Sequence, residues 1–481
     1  MSATIETDYL VIGAGATALA FVDTLLDETD ANVVIVDRYD QPGGHWRVAY
    51  DFVRLHQPAD FYGVNSRLLG SSVVEGHGLN AGMLSLSSRD EVRAYFEAVV
   101  RERFVPSGRV QYLPKTEYDW SSDTARGIVS GETTQFVVRR KTVDSTYMKV
   151  TVPAMQPPLY RVDPGVRIVP PNALSSLAGD DEHYVVVGGG KTGIDTVLWL
   201  LERGLDPDRI TWVRPRDAWL FNREWCQPGP QFAAIADRYA GAFANAWLQA
   251  ESLPDLLDQL IDAEWLLRIS DDVRPTAFRC ATVTRAELAQ LQRVHDVTSH
   301  DAFGRVRALR PGVIEFENGA RPVSGDPLYI DCSANGLARL ESVPVFNHAR
   351  ITLQSVLLCQ QVYSAAFIAH IESRGGTDAE KNALTRPAPH PESEIDFLRT
   401  WLDTFRNDRI WADDPEIVEW RQRSRLAGLT TNVGTPLPPA GPERDAALAQ
   451  YKQFLDAVIP KAEEMIEAAE NSRLSVTVGG Q

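Results

Sequence analysis

Two glycine-rich turns, each standing between an apolar strand-like run and a helical pattern, constrain this 481-residue chain more than any other feature. In the first, Tyr9-Leu10-Val11-Ile12 ends in Gly13-Ala14-Gly15-Ala16-Thr17-Ala18, after which Leu19, Phe21, Val22, Leu25 and Leu26 recur at helical spacing. A second apolar run, Asn32 to Val36, closes on Asp37. Strand, tight turn, helix and a second strand with a terminal acid make up the βαβ unit that binds a dinucleotide. Gly13 permits the tight turn, Gly15 lets backbone approach a pyrophosphate, and Ala18 in the third glycine's place keeps helix and strand close. The helix N-terminus offers unpaired N–H groups to the phosphates, and Asp37 is placed to hydrogen-bond a ribose hydroxyl pair.

The second turn is Gly188-Gly189-Gly190-Lys191-Thr192-Gly193, between Tyr184-Val185-Val186-Val187 and a helix with Ile194, Val197, Leu198 and Leu201 on one face. Gly188, Gly190 and Gly193 complete the pattern, with Lys191 and Thr192 at the helix start. Gly190-Lys191-Thr192 is not an ATPase loop, because that motif needs a glycine where Val185 stands. The following strand, Ile210 to Val213, ends in Arg214-Pro215-Arg216 rather than an acid. Arginine in this place suits a ribose 2′-phosphate, so the spacing favours NADPH over NADH. The alternative is that Arg214 and Arg216 form ordinary salt bridges.

After Asp37 comes Arg38-Tyr39-Asp40-Gln41-Pro42-Gly43-Gly44-His45-Trp46. Here the sequence resembles the flavoproteins with two dinucleotide-binding domains, most closely the flavin-containing and N-hydroxylating monooxygenase group. The resemblance implies FAD at the first turn. Gly13, Gly15, Ala18 and Asp37, with Arg38 beside it, would hold the ADP half, and Gly43, Gly44 and Trp46 would lie along the pyrophosphate and flavin. Read alone, Gly43-Gly44 is equally a flexible turn. Asp326 to Gly336 looks like the strand and linker by which such flavoproteins return to the FAD domain, although the usual Ala-Thr-Gly reads Ala334-Asn335-Gly336. A helix from Ser364 to Glu372, N-capped by Ser364, matches the late helix that points its positive end at the flavin in related proteins. One departure is plain: the Phe-x-Gly-x-x-x-His fingerprint of the flavin-containing and Baeyer–Villiger enzymes is absent between Val152 and Val187. The N-hydroxylating relatives lack it too.

The expected fold class is α/β: two Rossmann-like dinucleotide-binding domains (FAD and NADPH) with a helical insertion and C-terminal helices. The expected divisions are 1–160 for the first part of the FAD domain, 161–327 for the NADPH domain, and 328–481 for the second FAD part with a helical extension. Six prolines between Pro153 and Pro171 mark the crossing. A β-meander is expected from Val306 to Leu309 and Val313 to Phe316, turning at Asn318-Gly319. Residues 231–291 read as a helical insertion over the active-site crevice. Its aromatics, with Trp219, Phe221 and Trp225, line a substrate pocket or fill the insertion's own core. Pro436 to Pro442 reads as a linker before a last amphipathic helix, about Ala446 to Ala468.

The formal charge of −17 with no basic run argues against nucleic acid and anionic membrane as partners. No apolar stretch is long enough to span a bilayer and no signal peptide precedes the first strand, so a cytoplasmic location is expected. Four cysteines without a CxxC or CxxxxC pair argue against a dithiol redox centre, a zinc ribbon and a disulfide scaffold, and no metal site is expected.

These features point to a monooxygenase that uses FAD, NADPH and molecular oxygen to oxygenate a small organic substrate. Through the resemblance, a C4a-flavin hydroperoxide is implied. A flavoprotein dehydrogenase or reductase, an oxidase, and a non-enzymatic FAD-binding redox sensor stay open, as does homo-oligomerisation. His56, as a proton donor or acceptor near neutral pH, and Gln57, on the ring edge, are the candidate catalytic residues, set against the commoner structural role of a lone histidine. Asn222, Arg223 and Gln227 are candidates to face substrate or nicotinamide, or else ordinary loop residues. His348 and Gln354 are weaker candidates.

Overall fold

The computed structural model describes residues 3–478 other than 178, 180–182, 300–302, 335, 337, 339 and 428–436. Asn335 of the return segment and Pro436 of the linker therefore lie outside the described residues. In the first sheet, Ala3–Ile12 runs parallel to Val33–Val36 on one side and to Thr133–Asp144 on the other. Val110–Leu113 and Arg350–Thr352 extend it outward in parallel. Leu10, Val11 and all of Val33–Val36 are buried, as an apolar run covered on both faces requires. The helix Ala16–Glu28 follows the first turn and packs on Gln361–Ser373 in one apolar core.

The second sheet repeats the plan. Tyr184–Val187 lies between Ile210–Arg214 and Leu328–Asp331, with Val297–Ser299 and Ile168–Val169 outside them, all parallel. The helix Lys191–Glu202 follows its glycine turn. The fold is thus α/β with two strand–turn–helix dinucleotide-type units in one chain. Leu328–Asp331, expected to begin the return to the first domain, belongs to the second sheet, and the chain rejoins the first only at Phe346–Asn347 and Arg350–Thr352. The meander forms as expected from Val306–Arg310, Val313–Phe316 and Gly319–Pro322, and Arg161–Val162 of the proline-rich crossing adds to its edge.

The segment 231–291 is only partly helical. Helices Ala233–Gln249 and Leu253–Asp262 are followed by strands Leu266–Leu267 and Ala277–Val283, which flank Ala218–Asn222 in a separate sheet. Ala277–Val283 is buried on nearly every residue, so it lacks the alternation that marks a strand in sequence. Trp219, Phe221 and Trp225 fill this unit's own core: Trp225 stacks on Trp265 at 4.6 Å, and Phe278 on Phe397 at 4.4 Å. The last helix runs Pro442–Val478 and buries Leu455, Val458 and Ala462 in the same cluster, against the body of the chain.

Two further expectations need correction. Ser364 does not cap its helix, which begins at Gln361. Its hydroxyl donates to Gln360 O at 2.6 Å and accepts from Val356 N at 3.0 Å, with no exposed surface. The cysteines are not all unpaired: Cys280 and Cys359 form a disulfide with Cα atoms 6.3 Å apart, across 79 residues that no local spacing rule spans.

Because the aromatic cluster is core, Phe397→Ala should lower the unfolding free energy by about 3–5 kcal/mol. The measurement is the shift in urea midpoint at constant m-value.

Candidate cofactor and active site

A cavity of about 760 Å³ opens at the second glycine turn. Its wall takes in Gly188 to Thr192, Arg216, Tyr147, Met148, Gln354, Ser355 and His390. Backbone crowding dictates the glycines. A Cβ on Gly188, at φ +133°, would lie 2.6 Å from Cys332 O, and one on Gly193 would strike Gly188 O. Gly190 differs: no atom lies within 4 Å of where its Cβ would be, so it faces open space. It is also the N-cap of Lys191–Glu202, with no side chain capping the helix. An uncapped helix N-terminus opening on a cavity is the donor set a pyrophosphate needs.

Of the two arginines, only Arg216 lines this cavity. Arg214 is buried, lies 4.9 Å over the Trp212 ring, and pairs with Asp217 at 3.2 Å. Arg305 and Arg307, from the start of the meander, share the cavity rim with Arg216. The meander begins at Val306, far along the chain from the glycine motif that ends at Gly193, and no sequence signal linked the two.

At the first turn Gly13 has φ +97°, and a Cβ there would meet Ser145 Oγ at 2.7 Å. Gly15 faces Gly44, where a Cβ would lie 3.0 Å from the Gly15 Cα. Gly43 N donates to Ala14 O at 2.8 Å, so Gly43-Gly44 is folded onto the turn. Ala18 is fully buried, as close helix–strand packing demands. Asp37 holds the turn itself, accepting from Ala14 N and from Tyr39 N, the latter at 2.7 Å, and burial raises its pKa. The helix Ala16–Glu28 starts at Gly15 with no side-chain cap. Trp46 Nε1 donates to Tyr62 OH at 2.7 Å, and exposed Arg38 lies over Tyr39. The donor set fits a dinucleotide pyrophosphate. The wall of the large cavity includes the second turn and not the first.

The units meet at residues that sequence reading assigned to catalysis and substrate. Arg223, 1% exposed, donates to His56 O, Asn80 Oδ1, Thr282 O and both oxygens of Glu287, over 2.8–3.1 Å. All five guanidinium N–H groups are used, so Arg223 is a structural pin and not a substrate ligand. Gln227 bridges similarly, from Leu84 N to Arg223 O. Asn222 bonds Tyr239 OH, Glu264 O and Glu224 N inside the core. Gln57 sits half-buried beside His56.

His56 Nδ1 accepts from Thr282 N at 3.1 Å. Burial, with Lys191 and Arg223 nearby, lowers its pKa to about 3. It is therefore a neutral imidazole whose Nε2–H can only donate, and not the near-neutral acid–base group expected. Tyr50 and Asp195 were missed. Tyr50 OH donates to Asp195 Oδ2 at 2.6 Å, and Asp195 also pairs with Lys191, orienting that lysine at the cavity wall. The Lys191–Asp195 spacing of one helical turn was the readable signal. Gln354 lines the cavity, with its amide on Val343 O, whereas His348 lies away from it with its N–H on Asp378.

No family model matches the chain. Uncharacterized proteins of Mycobacterium tuberculosis and Mycobacterium bovis are 43% identical over 466 residues, covering 97% of this chain and 86% of theirs. The chain belongs to their family. Among solved structures, an NADP-bound steroid monooxygenase has a TM-score of 0.47 at 13% identity, covering 97% of this chain and 98% of that one. A closed cyclohexanone monooxygenase gives 0.45 at 13%, covering 98% of each. A flavin-containing monooxygenase from Stenotrophomonas maltophilia gives 0.44 at 15%, covering 78% of this chain and 98% of its own. These scores are too low to bear on the chemistry, which rests on the geometry above. No described helix is long and apolar enough to cross a membrane.

Arg223→Met takes the cation from the partly buried Glu287 and the donors from His56 O, Asn80 and Thr282 O, and should cost about 3–5 kcal/mol, whereas exposed Arg38→Met should stay within about 0.5 kcal/mol. Urea midpoints separate the two. Burial lowers His45 and His390 to about 4, as it does His56. A group with a depressed folded pKa contributes stability above its unfolded pKa of about 6.5 and loses it as pH falls toward the folded value. Stability should therefore drop from pH 6.5 downward, and His56 should show no NMR titration between pH 5 and 8.

Proposed function

We propose that the chain is an FAD-dependent, NADPH-using monooxygenase that oxygenates a small organic molecule. The observation that carries this is the pairing of two dinucleotide-type turns in one chain, pinned by Arg223, with a large cavity opening at the second. The Gly43-Gly44-x-Trp46 resemblance supports flavin at the first turn. FAD, when bound, accepts two electrons from NADPH and activates oxygen.

The residues divide the work as follows. The uncapped N–H groups after Gly15 and Gly190 hold the two pyrophosphates. The lone pairs left on Asp37 serve the first ribose. Arg216, with Arg305 and Arg307, takes the 2′-phosphate, and Arg214 only supports the strand end. Lys191, aimed by Asp195, and Thr192 position the nicotinamide nucleotide. Neutral His56 contributes only a donor Nε2–H, and Arg223 keeps the junction closed to water.

Arg216→Ala should raise the KM for NADPH about tenfold and barely alter that for NADH, since a lost charged hydrogen bond costs about 1.5–3 kcal/mol. Equal effects on both would overturn the 2′-phosphate assignment. For the activity itself, NADPH should reduce the protein-bound flavin, and isotope-labelled oxygen should place one atom in a product from an amine, thioether or ketone panel. Absence of bound flavin, or NADPH consumption giving only hydrogen peroxide across the panel, would overturn the reading.

A further inference from the structure

We infer that Cys280, Cys359 and His390 form a redox site: a reversible disulfide that takes two electrons from a dithiol, with His390 holding the Cys280 thiol in place for reclosure. The site borders the cavity at the second glycine turn but does not depend on the monooxygenase reading.

The two cysteines come from different parts of the fold. Cys280 lies in the strand Ala277–Val283, and Cys359 lies in the turn entering the helix Gln361–Ser373. Both hold positive φ, +51° and +54°, a region that side chains other than glycine rarely adopt. Such conformations persist only where the surroundings enforce them, and they concentrate at functional sites. His390 Nδ1 lies 3.6 Å from Cys280 Sγ, and its Nε2 lies 3.2 Å from Ser355 Oγ and 3.3 Å from the Gln361 amide. His390, Ser355, Phe278 and Arg279 all face the large cavity, so the pair sits directly behind its wall. Burial keeps His390 neutral at pH 7, so its Nδ1 can take a hydrogen bond from the Cys280 thiol. The other two cysteines differ: Cys226 and Cys332 are free and buried, and burial pushes their thiols up, Cys226 to about 12. Buried thiols of that kind are inert.

Reduction begins when one thiolate of the dithiol attacks the sulfur of Cys359, the less buried of the two residues. The Cys280–Cys359 bond breaks and Cys280 leaves as a thiolate, which takes up a proton. The second thiolate of the reductant then displaces Cys359, which is protonated in turn, and the reductant departs as a cyclic disulfide. Two electrons and two protons pass from the dithiol to the pair. In the reverse direction a disulfide oxidant first captures Cys359 as a mixed disulfide. His390 Nδ1 holds the Cys280 thiol by a hydrogen bond, Cys280 attacks Cys359 Sγ, and the oxidant's thiolate is expelled and leaves with the Cys280 proton. The bond ties two cavity walls together, the strand Ala277–Val283 and the entry to the helix Gln361–Ser373.

The test uses the native full-length protein, dithiothreitol as the dithiol, and alkylation read by mass spectrometry. Before reduction, Cys280 and Cys359 should resist alkylation. After reduction both should be labelled with no denaturant present, and oxidised dithiothreitol should reverse this. A Cys226→Ser/Cys332→Ser variant should behave identically. His390→Gln should keep both labels but re-form the bond at least about tenfold more slowly, because the Cys280 thiol loses its positioning contact. Labelling only in denaturant would make the bond a static crosslink and overturn the proposal. Free thiols before reduction, or a metal ion retained by the purified protein and lost in Cys280→Ser, would overturn it as well.

Discussion

The buried guanidinium of Arg223 is the contact on which the rest of the molecule depends. It reaches the first unit through His56 O and Asn80, and the second through Thr282 O and Glu287. A charge taken out of water this completely is tolerated only if each donor finds an acceptor. Here each one does, so the pin works in a single relative placement of the two units. That placement brings Tyr50 onto Asp195 and His56 near Lys191. Gln227 adds a neutral bridge from the same short helical turn.

The large cavity is lined by charges of both signs. Its rim near the second glycine turn carries Arg216, Arg305 and Arg307, balanced in part by Glu317, which pairs with Arg307 at 2.9 Å. Burial keeps His390 in the cavity wall unprotonated, and outside it keeps His56 unprotonated and raises the Tyr50 hydroxyl well above its usual range. The aromatic cluster of Trp225, Trp265, Phe278 and Phe397 is packing, and the last helix buries Leu455, Val458 and Ala462 in it.

Much of the fold was legible because its determinants are local. Gly193 is required by crowding against the nearby Gly188 O, and Val33–Val36 announces a doubly covered strand by its unbroken apolarity. Asn318-Gly319 encodes its turn through the positive φ of Gly319. The strand Ala277–Val283 was not legible, because a strand buried on both faces has no period to detect. Leu328–Asp331 was recognised as a strand, but its sheet was misassigned, since pairing partners are non-local.

The roles of individual side chains divide along the same line. By itself the sequence determined the two phosphate turns, the identity of the residues around them and the general scarcity of cysteine, because each is a property of neighbours along the chain. Only the tertiary structure decided which polar residue faces the cavity and which is consumed inside the protein. Arg214 and Arg216 are two residues apart, yet one is spent on Asp217 and the other lines the cavity. Arg223 looked like a ligand for substrate and proved to be the bolt between units. Cys280 and Cys359 looked unpaired until the fold brought them together. In each case the deciding quantity is the set of partners supplied from distant segments, and that set exists only once the chain has folded.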